Sequence, residues 1–296
     1  MSNLFARVLS RRSLWRYVPV RQPSPPIGPP MLALSFDLDY QADTDALDAL
    51  VDLMARVQVR ATLFSIGALV EADPEPYRRA AQAGHEIANH TQTHPDNPVL
   101  NPDNEFWHLS AEEMEDEIGR AQDTLERATG QRPTGFRTPH FKDASAMFDA
   151  LDAFPEIDYV STVLASQSPH RVPYLPARSS APHDTSGRHA ATRFAHHLSA
   201  EDERLLMIPL TPDPDHRWSP FCSYHAIRTP SNPEMGAGMH TIDEFESLWQ
   251  TMLRRAHRDG FASVYFDPLD VMRDSETADA FERMLVGAVA SGWSVA

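Results

Sequence analysis

The chain has 296 residues, 42% of them apolar, and 26 basic against 42 acidic side chains give a formal charge of −16. That is enough chain to bury one large core, and so acidic a surface repels phosphate backbones, which argues against nucleic acid as a partner. The lone cysteine, Cys222, rules out an intramolecular disulfide framework and fits a reducing, cytoplasmic setting, and no run approaches the roughly 20 apolar residues that span a bilayer.

Residues 1–30 form a basic, Pro-rich arm with Arg7, Arg11, Arg12, Arg16 and Arg21 and no acid. These arginines interrupt every candidate apolar core of a secretory signal. The arm is expected to lie on the acidic body or to make peripheral contact with a membrane surface. MLALSFD (31–37) is strand-like, and DTDALDALVDLMARV (43–57) has helical spacing with acids in its first turn. ATLFSIG (61–67) is a second strand and PEPYRRAAQAG (74–84) a helix with Pro early and Gly at its end. HEIANH (85–90) is a third strand. The helix over 110–130 has Ser110 as N-cap, Glu113 to complete a capping box and Gly130 to close it.

GFRTP (135–139), IDYVSTVL (157–164), ERLLMIPL (203–210) and ASVYFD (262–267) are further strands, and helices are expected over 143–151, 241–260 and 275–292. Residues 166–200 and 211–240 read as long loop excursions, the first a candidate contact in an oligomer. Strand and helix alternate, which implies a mostly parallel sheet. The expected fold is an α/β single domain over 31–296, a (β/α) barrel, distorted or incomplete, of seven or eight strands.

In such barrels the reactive groups sit at the C-terminal ends of the strands. SFDLD (35–39) offers two carboxylates there, and His90 and His94 offer two imidazoles after the third strand. One Asp with two His is the donor set of a catalytic divalent-metal site that keeps a position open for water. Zn²⁺ is the first expectation, with Co²⁺ and Ni²⁺ as alternatives. No G-x-S-x-G elbow, cysteine motif or Gly-rich phosphate loop competes with this reading.

The motifs Ser35-Phe36-Asp37-Leu38-Asp39, Asn89-His90-Thr91-Gln92-Thr93-His94 and Arg137-Thr138-Pro139 occur in that order, with Gly84-His85-Glu86-Ile87 before the second. Together they resemble the polysaccharide deacetylase family, carbohydrate esterase family four or NodB-homology domain, in its subtype with one residue between the two acids. The resemblance is close over 31–165 and loose beyond. It implies Asp39, His90 and His94 as metal ligands, Asp37 as general base and Arg137 as the group that orients it. It also implies an oxyanion donor in the backbone N–H that follows Pro139, at His140. Thr91 is expected to tighten the loop between the two imidazoles, while His85 and Glu86 serve packing.

The activity implied is metal-dependent removal of an N-acyl group, acetyl first, from an amino sugar or polysaccharide. Two alternatives accompany it: hydrolysis of another linear amide, such as the formamide of a lipid-linked sugar, and a catalytically weak or inactive metal-containing carbohydrate-binding homologue. One position departs from the family. Asp267 stands where relatives carry a His as general acid for the leaving amine. Either Asp267 is held protonated, or His216, His225 or His240 reaches in, or turnover is slow. Trp218, Phe221 and Tyr224 could line a sugar-binding face or pack in the interior. His170, His183, His189, His196 and His197 read as surface.

Overall fold

The computed structural model of the protein describes residues 28–141, 145–161, 183–184, 206–208, 210–215, 219–228, 238–257 and 260–296. Most of the basic arm and of the 166–200 excursion, with His170, His189, His196, His197, His216 and Trp218, lies outside them.

Five parallel strands follow one another across the sheet: β1 (Met31–Leu38), β2 (Thr62–Ser65), β3 (Glu86–Asn89), β4 (Gly135–Phe136) and β5 (Tyr159–Val160). The late strand β8 (Phe261–Phe266) returns to the other edge of β1 and pairs with it in parallel over six residues, Met31↔Phe261 to Phe36↔Phe266. First strand beside last is the order of a barrel about to close. Beyond β5 come β7 (Leu206–Met207), parallel to it, and β6 (His183–Asp184), antiparallel to β7. A short β9 (Ser294–Val295) pairs with Met31 and Leu32, on the stretch of β1 that precedes its pairing with β2.

The segment that contains β7 spans the gap between β5 and β8. Ile208 N–H donates to Val160 O (2.9 Å), and three residues on Thr211 N–H donates to Ser263 O (2.8 Å). The result is a curled half-barrel of parallel strands with helices, an incomplete (β/α) barrel. Nine strands are described where seven or eight were expected, because β6 and β9 are two-residue pieces.

The helices of the described residues are α1 (Gln41–Val57), α2 (Gly67–Ala72), α3 (Pro74–Gln82), α4 (Ala111–Thr129), α5 (Ser145–Leu151), α6 (Ser223–Ala226), α7 (Ile242–Ala256), α8 (Pro268–Val271) and α9 (Ser275–Ala290). The six expected from periodicity form, with sharper ends, and three short ones that the sequence did not announce join them, α2, α6 and α8. Ser110 and Thr241 accept the N3 amides of Glu113 and Glu244, whose carboxylates return the bond. Gly130 closes α4 at φ 78°, a left-handed value that glycine adopts without Cβ strain.

Two apolar clusters hold the layers together. The larger joins β1 and β8 to α1, α7 and α9 through Phe36, Phe266, Phe281, Phe221, Phe245 and Trp249. The smaller joins α4 and α5 to β4 and β5 through Ile118, Phe136, Phe148 and Leu151. Phe221 is fully buried and stacks on Phe245 at 4.9 Å, so it belongs to the interior and not to a sugar-binding face. One segment expected to be a strand shrinks. Residues 135–139 pair only at Gly135 and Phe136, and Pro139–Phe141 turn into a 3₁₀ helix. Residues 211–240 are not all loop: Pro212 bridges to Pro220 and α6 follows.

Candidate active site

The C-terminal ends of β1, β3, β4 and β8 converge on one cluster. β1 delivers Asp37 from within its ladder and Asp39 from the turn just after it. His90 Nε2 lies 3.3 Å and His94 Nε2 3.8 Å from Asp39 Oδ1. The three potential ligand atoms all fall within 4.8 Å of one another, and among the described residues no other group of three comes together in this way.

Asp39 Oδ1 is buried and has no hydrogen-bond partner, a costly state for a carboxylate oxygen. The side chain as a whole keeps 23% of its surface exposed. An orphaned oxygen faced by two imidazoles, with one side open, fits a divalent cation that retains a solvent position. His90 Nδ1 donates to Arg137 O at 2.8 Å, which fixes the tautomer whose bare Nε2 faces Asp39. Burial, with the neighbouring imidazoles His90 and His140, lowers His94 to about 3 against the opposing pull of Asp39. Burial alone would raise Asp39, yet His94 and His90 bring it well below the usual carboxylate range.

The H-x-x-x-H pair sits on a loop, and its strained backbone is pinned from several sides. Thr91 (φ 68°) and His94 (φ 50°) both take left-handed values that non-glycine residues seldom adopt. Thr91 N–H donates to Asn89 Oδ1 (2.8 Å), and Thr91 Oγ1 accepts His94 N–H (3.0 Å). Glu117 of α4 accepts from Thr93 through both N–H and Oγ1, each at 2.8 Å. Thr91 thus tightens the turn between the two imidazoles.

Asp37 forms a buried ion pair with Arg137. Arg137 is itself enclosed: Nη2 donates to Ser35 Oγ (2.8 Å) and Ser161 Oγ (2.9 Å), and its guanidinium lies 3.9 Å over the Phe64 ring. Burial raises the Asp37 carboxyl above its ordinary value, while Arg137 and His90 oppose that rise. A carboxylate poised in this way can accept a proton near neutral pH.

Asp267 follows β8 as the N-cap of α8, and its N–H donates to Ser223 Oγ at 2.7 Å. Its Oδ2 is buried without a partner. Burial, then the carboxylates of Asp270, Asp43, Asp39 and Asp37, push it well above the usual range. His225 is lowered by burial and Arg228, and His240 sits 3.7 Å from Asp213.

Pro139 is buried, and His140 follows it at φ 53° with Phe141 at φ 54°. The His140 ring lies 5.2 Å from that of His94 and 5.9 Å from that of Trp107. The phenols of Tyr40 and Tyr224 are raised by burial, and both feel the charges of Asp39 and Asp267. Sequence reading named Tyr224 but missed Trp107 and Tyr40, since a single aromatic in a loop has no spacing to mark it. His85 and Glu86 face away from this cluster. His85 Nδ1 accepts the Ala61 amide (3.2 Å), and Glu86 accepts from Thr62 and Tyr159.

Residues 25–153 match the family described as polysaccharide deacetylase. The chain resembles that family over this stretch, which is less than half of its length. A chitooligosaccharide deacetylase of Bradyrhizobium is 36% identical over 91 residues, 30% of this chain and 37% of that protein. A peptidoglycan-N-acetylglucosamine deacetylase of Bacillus cereus is 30% identical over 117 residues, 40% of this chain and 38% of the relative. The chain thus matches little more than a third of the length of either relative. The structure of a protein described as a putative polysaccharide deacetylase from Mycobacterium smegmatis superimposes with a TM-score of 0.70 at 19% identity, covering 94% of this chain and 92% of the other. That likeness shows the fold.

Proposed function

We propose that this protein is a metal-dependent amide hydrolase that removes an acyl group, acetyl first, from an N-acylated amino sugar. The observation that carries the reading is the buried, unpartnered Asp39 Oδ1 facing His90 and His94, beside an Asp37 clamped by Arg137. The relatives named as deacetylases of chitooligosaccharide and peptidoglycan N-acetylglucosamine support the substrate class.

Asp39, His90 and His94 would hold the cation, Zn²⁺ first and Co²⁺ or Ni²⁺ otherwise. A cation there supplies Lewis acidity, polarising the scissile carbonyl and lowering the pKa of water towards about 7. Asp37 takes the proton of the attacking water, and Arg137 keeps its carboxylate aimed and charged. The backbone after Pro139, at His140, supplies an N–H for the oxyanion. Asp267 gives its proton to the nitrogen as the C–N bond breaks, which restores a neutral amine. The burial of Asp267, its unpartnered Oδ2 and the upward push on its carboxyl support this role in place of the family's histidine.

The test is release of acetate from N-acetylated chitooligosaccharides by metal-loaded protein. Asp37→Asn is expected to lose turnover by on the order of 10²–10⁴-fold while it keeps its metal. Turnover retained in that variant removes Asp37 from the role of base. No release from any N-acylated sugar, with metal bound, favours a carbohydrate-binding homologue. The basic arm supports a second reading, a membrane-borne amide substrate such as a lipid-linked formamido sugar. Sedimentation with anionic vesicles, with and without residues 1–30, tests it.

A further inference from the structure

Asp39 is gripped through its backbone as well as through its side chain. Its N–H donates to Asp43 Oδ2 at 3.1 Å, and the next amide, Tyr40 N–H, donates to the same oxygen at 3.0 Å. The other oxygen, Asp43 Oδ1, accepts Leu269 N–H at 2.9 Å. Leu269 is the second residue of α8, whose N-cap is Asp267. One carboxylate, fully buried, therefore closes the N-termini of two helices, α1 and α8. One helix begins beside a metal ligand and the other beside the candidate general acid.

The carbonyl of Asp39 is held from the third side. Asn97 Nδ2 donates to Asp39 O at 2.8 Å. Asn97 is buried, its Oδ1 accepts Val99 N–H (2.9 Å) and Leu100 N–H (3.0 Å), and its own N–H donates to His94 O (2.7 Å). Asn97 thus ties the Asp39 peptide to the loop that carries His94.

We infer that Asp43 and Asn97 are positioning residues that bind the loops after β1, β3 and β8 into one unit, fixing Asp39 against the two imidazoles and Asp267 against both. The inference rests on the metal-site reading above. Neither side chain belongs to the group of three candidate ligands. Each acts through the peptide of Asp39, and Asp43 also through the turn that begins with Asp267. Partners one step removed from a metal typically change its affinity by about 10–100-fold when lost. A bond shared between ligand turn and acid turn reaches further, since a displacement of about 1 Å at the reacting groups can cost on the order of 10²-fold.

Co²⁺ titration of the metal-free protein and its Asp43→Asn and Asn97→Ala variants tests this, followed by the visible band. Both variants are expected to bind Co²⁺ about 10- to 100-fold more weakly, with an altered band. Asp43→Asn is also expected to lower kcat by roughly 10- to 100-fold with KM within about twofold, a split that general loss of stability would not produce. Affinity and band within twofold of the parent in Asn97→Ala overturn the inference, and that variant decides alone if Asp43→Asn does not fold. A parent protein that takes up no Co²⁺ sinks the metal reading itself. Crystal structures of the variants then decide: Asp39 unmoved relative to His90 and His94 overturns the inference, and its displacement by about 1 Å sustains it.

Discussion

At the scale of single residues the site works by removing water from charges and then choosing what replaces it. Arg137 has its guanidinium spent on Asp37, Ser35 and Ser161 while Phe64 covers one face, and a planar fork can do this where an ammonium cannot. Arg137→Lys is expected to keep the metal and lose on the order of 10²-fold in kcat; comparison of metal content with acetate release checks it. Asp267 gives a different expectation. Its carboxyl is raised in the folded protein, so its stabilising contribution is complete below about pH 4, the unfolded value, and is lost as pH rises through the folded value. Asp267→Asn removes that loss. In metal-free protein, the melting temperature of the variant relative to the parent should therefore climb from acid to alkaline pH. A difference that stays flat with pH would show that the buried carboxyl is not carrying a proton.

Among the elements, helix ends matter more to the site than helix faces. α4 is fixed by Ser110 at one end, and in its middle it offers Glu117 to the strained His94 loop. Ser110→Ala should cost about 1 kcal/mol and about 2–4 °C of melting temperature, with metal affinity unchanged, as calorimetry and a metal titration would show. Such caps were legible in the sequence because Ser, Glu and Gly at fixed offsets have a local meaning. So were β1, β8 and the long helices, whose periodicity extends over whole elements. The two-residue strands β6, β7 and β9 were blurred or missed, since their pairing depends on chain far away and not on their own residues. The site divides in the same way. Asp39, His90, His94, Asp37 and Arg137 stood out as motifs. Asp43 did not, for an acid in the first turn of a helix is ordinary, and only the fold shows that its second oxygen reaches α8. Asn97 lay hidden for the same reason, one more polar residue near a proline.

For the whole molecule, the proposed metal centre would also be a clasp, since the loops that Asp39, His90 and His94 stand on lie far apart in sequence. A cation that binds only the folded chain adds about 2.7 kcal/mol at a hundredfold excess over its Kd. At about 2–4 °C per kcal/mol for a domain of this size, Zn²⁺ should raise the melting temperature by roughly 5–10 °C, and a chelator should reverse it. An unchanged transition would mean that the three side chains hold no ion. The circular arrangement of the strands carries a further consequence. Six consecutive residues of β1 register with β8, whereas across the sheet β7 meets β5 over two residues and Thr211 meets Ser263 through its N–H and its hydroxyl alone. A hoop parts at its thinnest weld. Deuterium should accordingly enter the amides of Ile208 and Thr211 well before those of β1, and the molecule should breathe from that seam outward while Asp39 and the imidazoles stay shut.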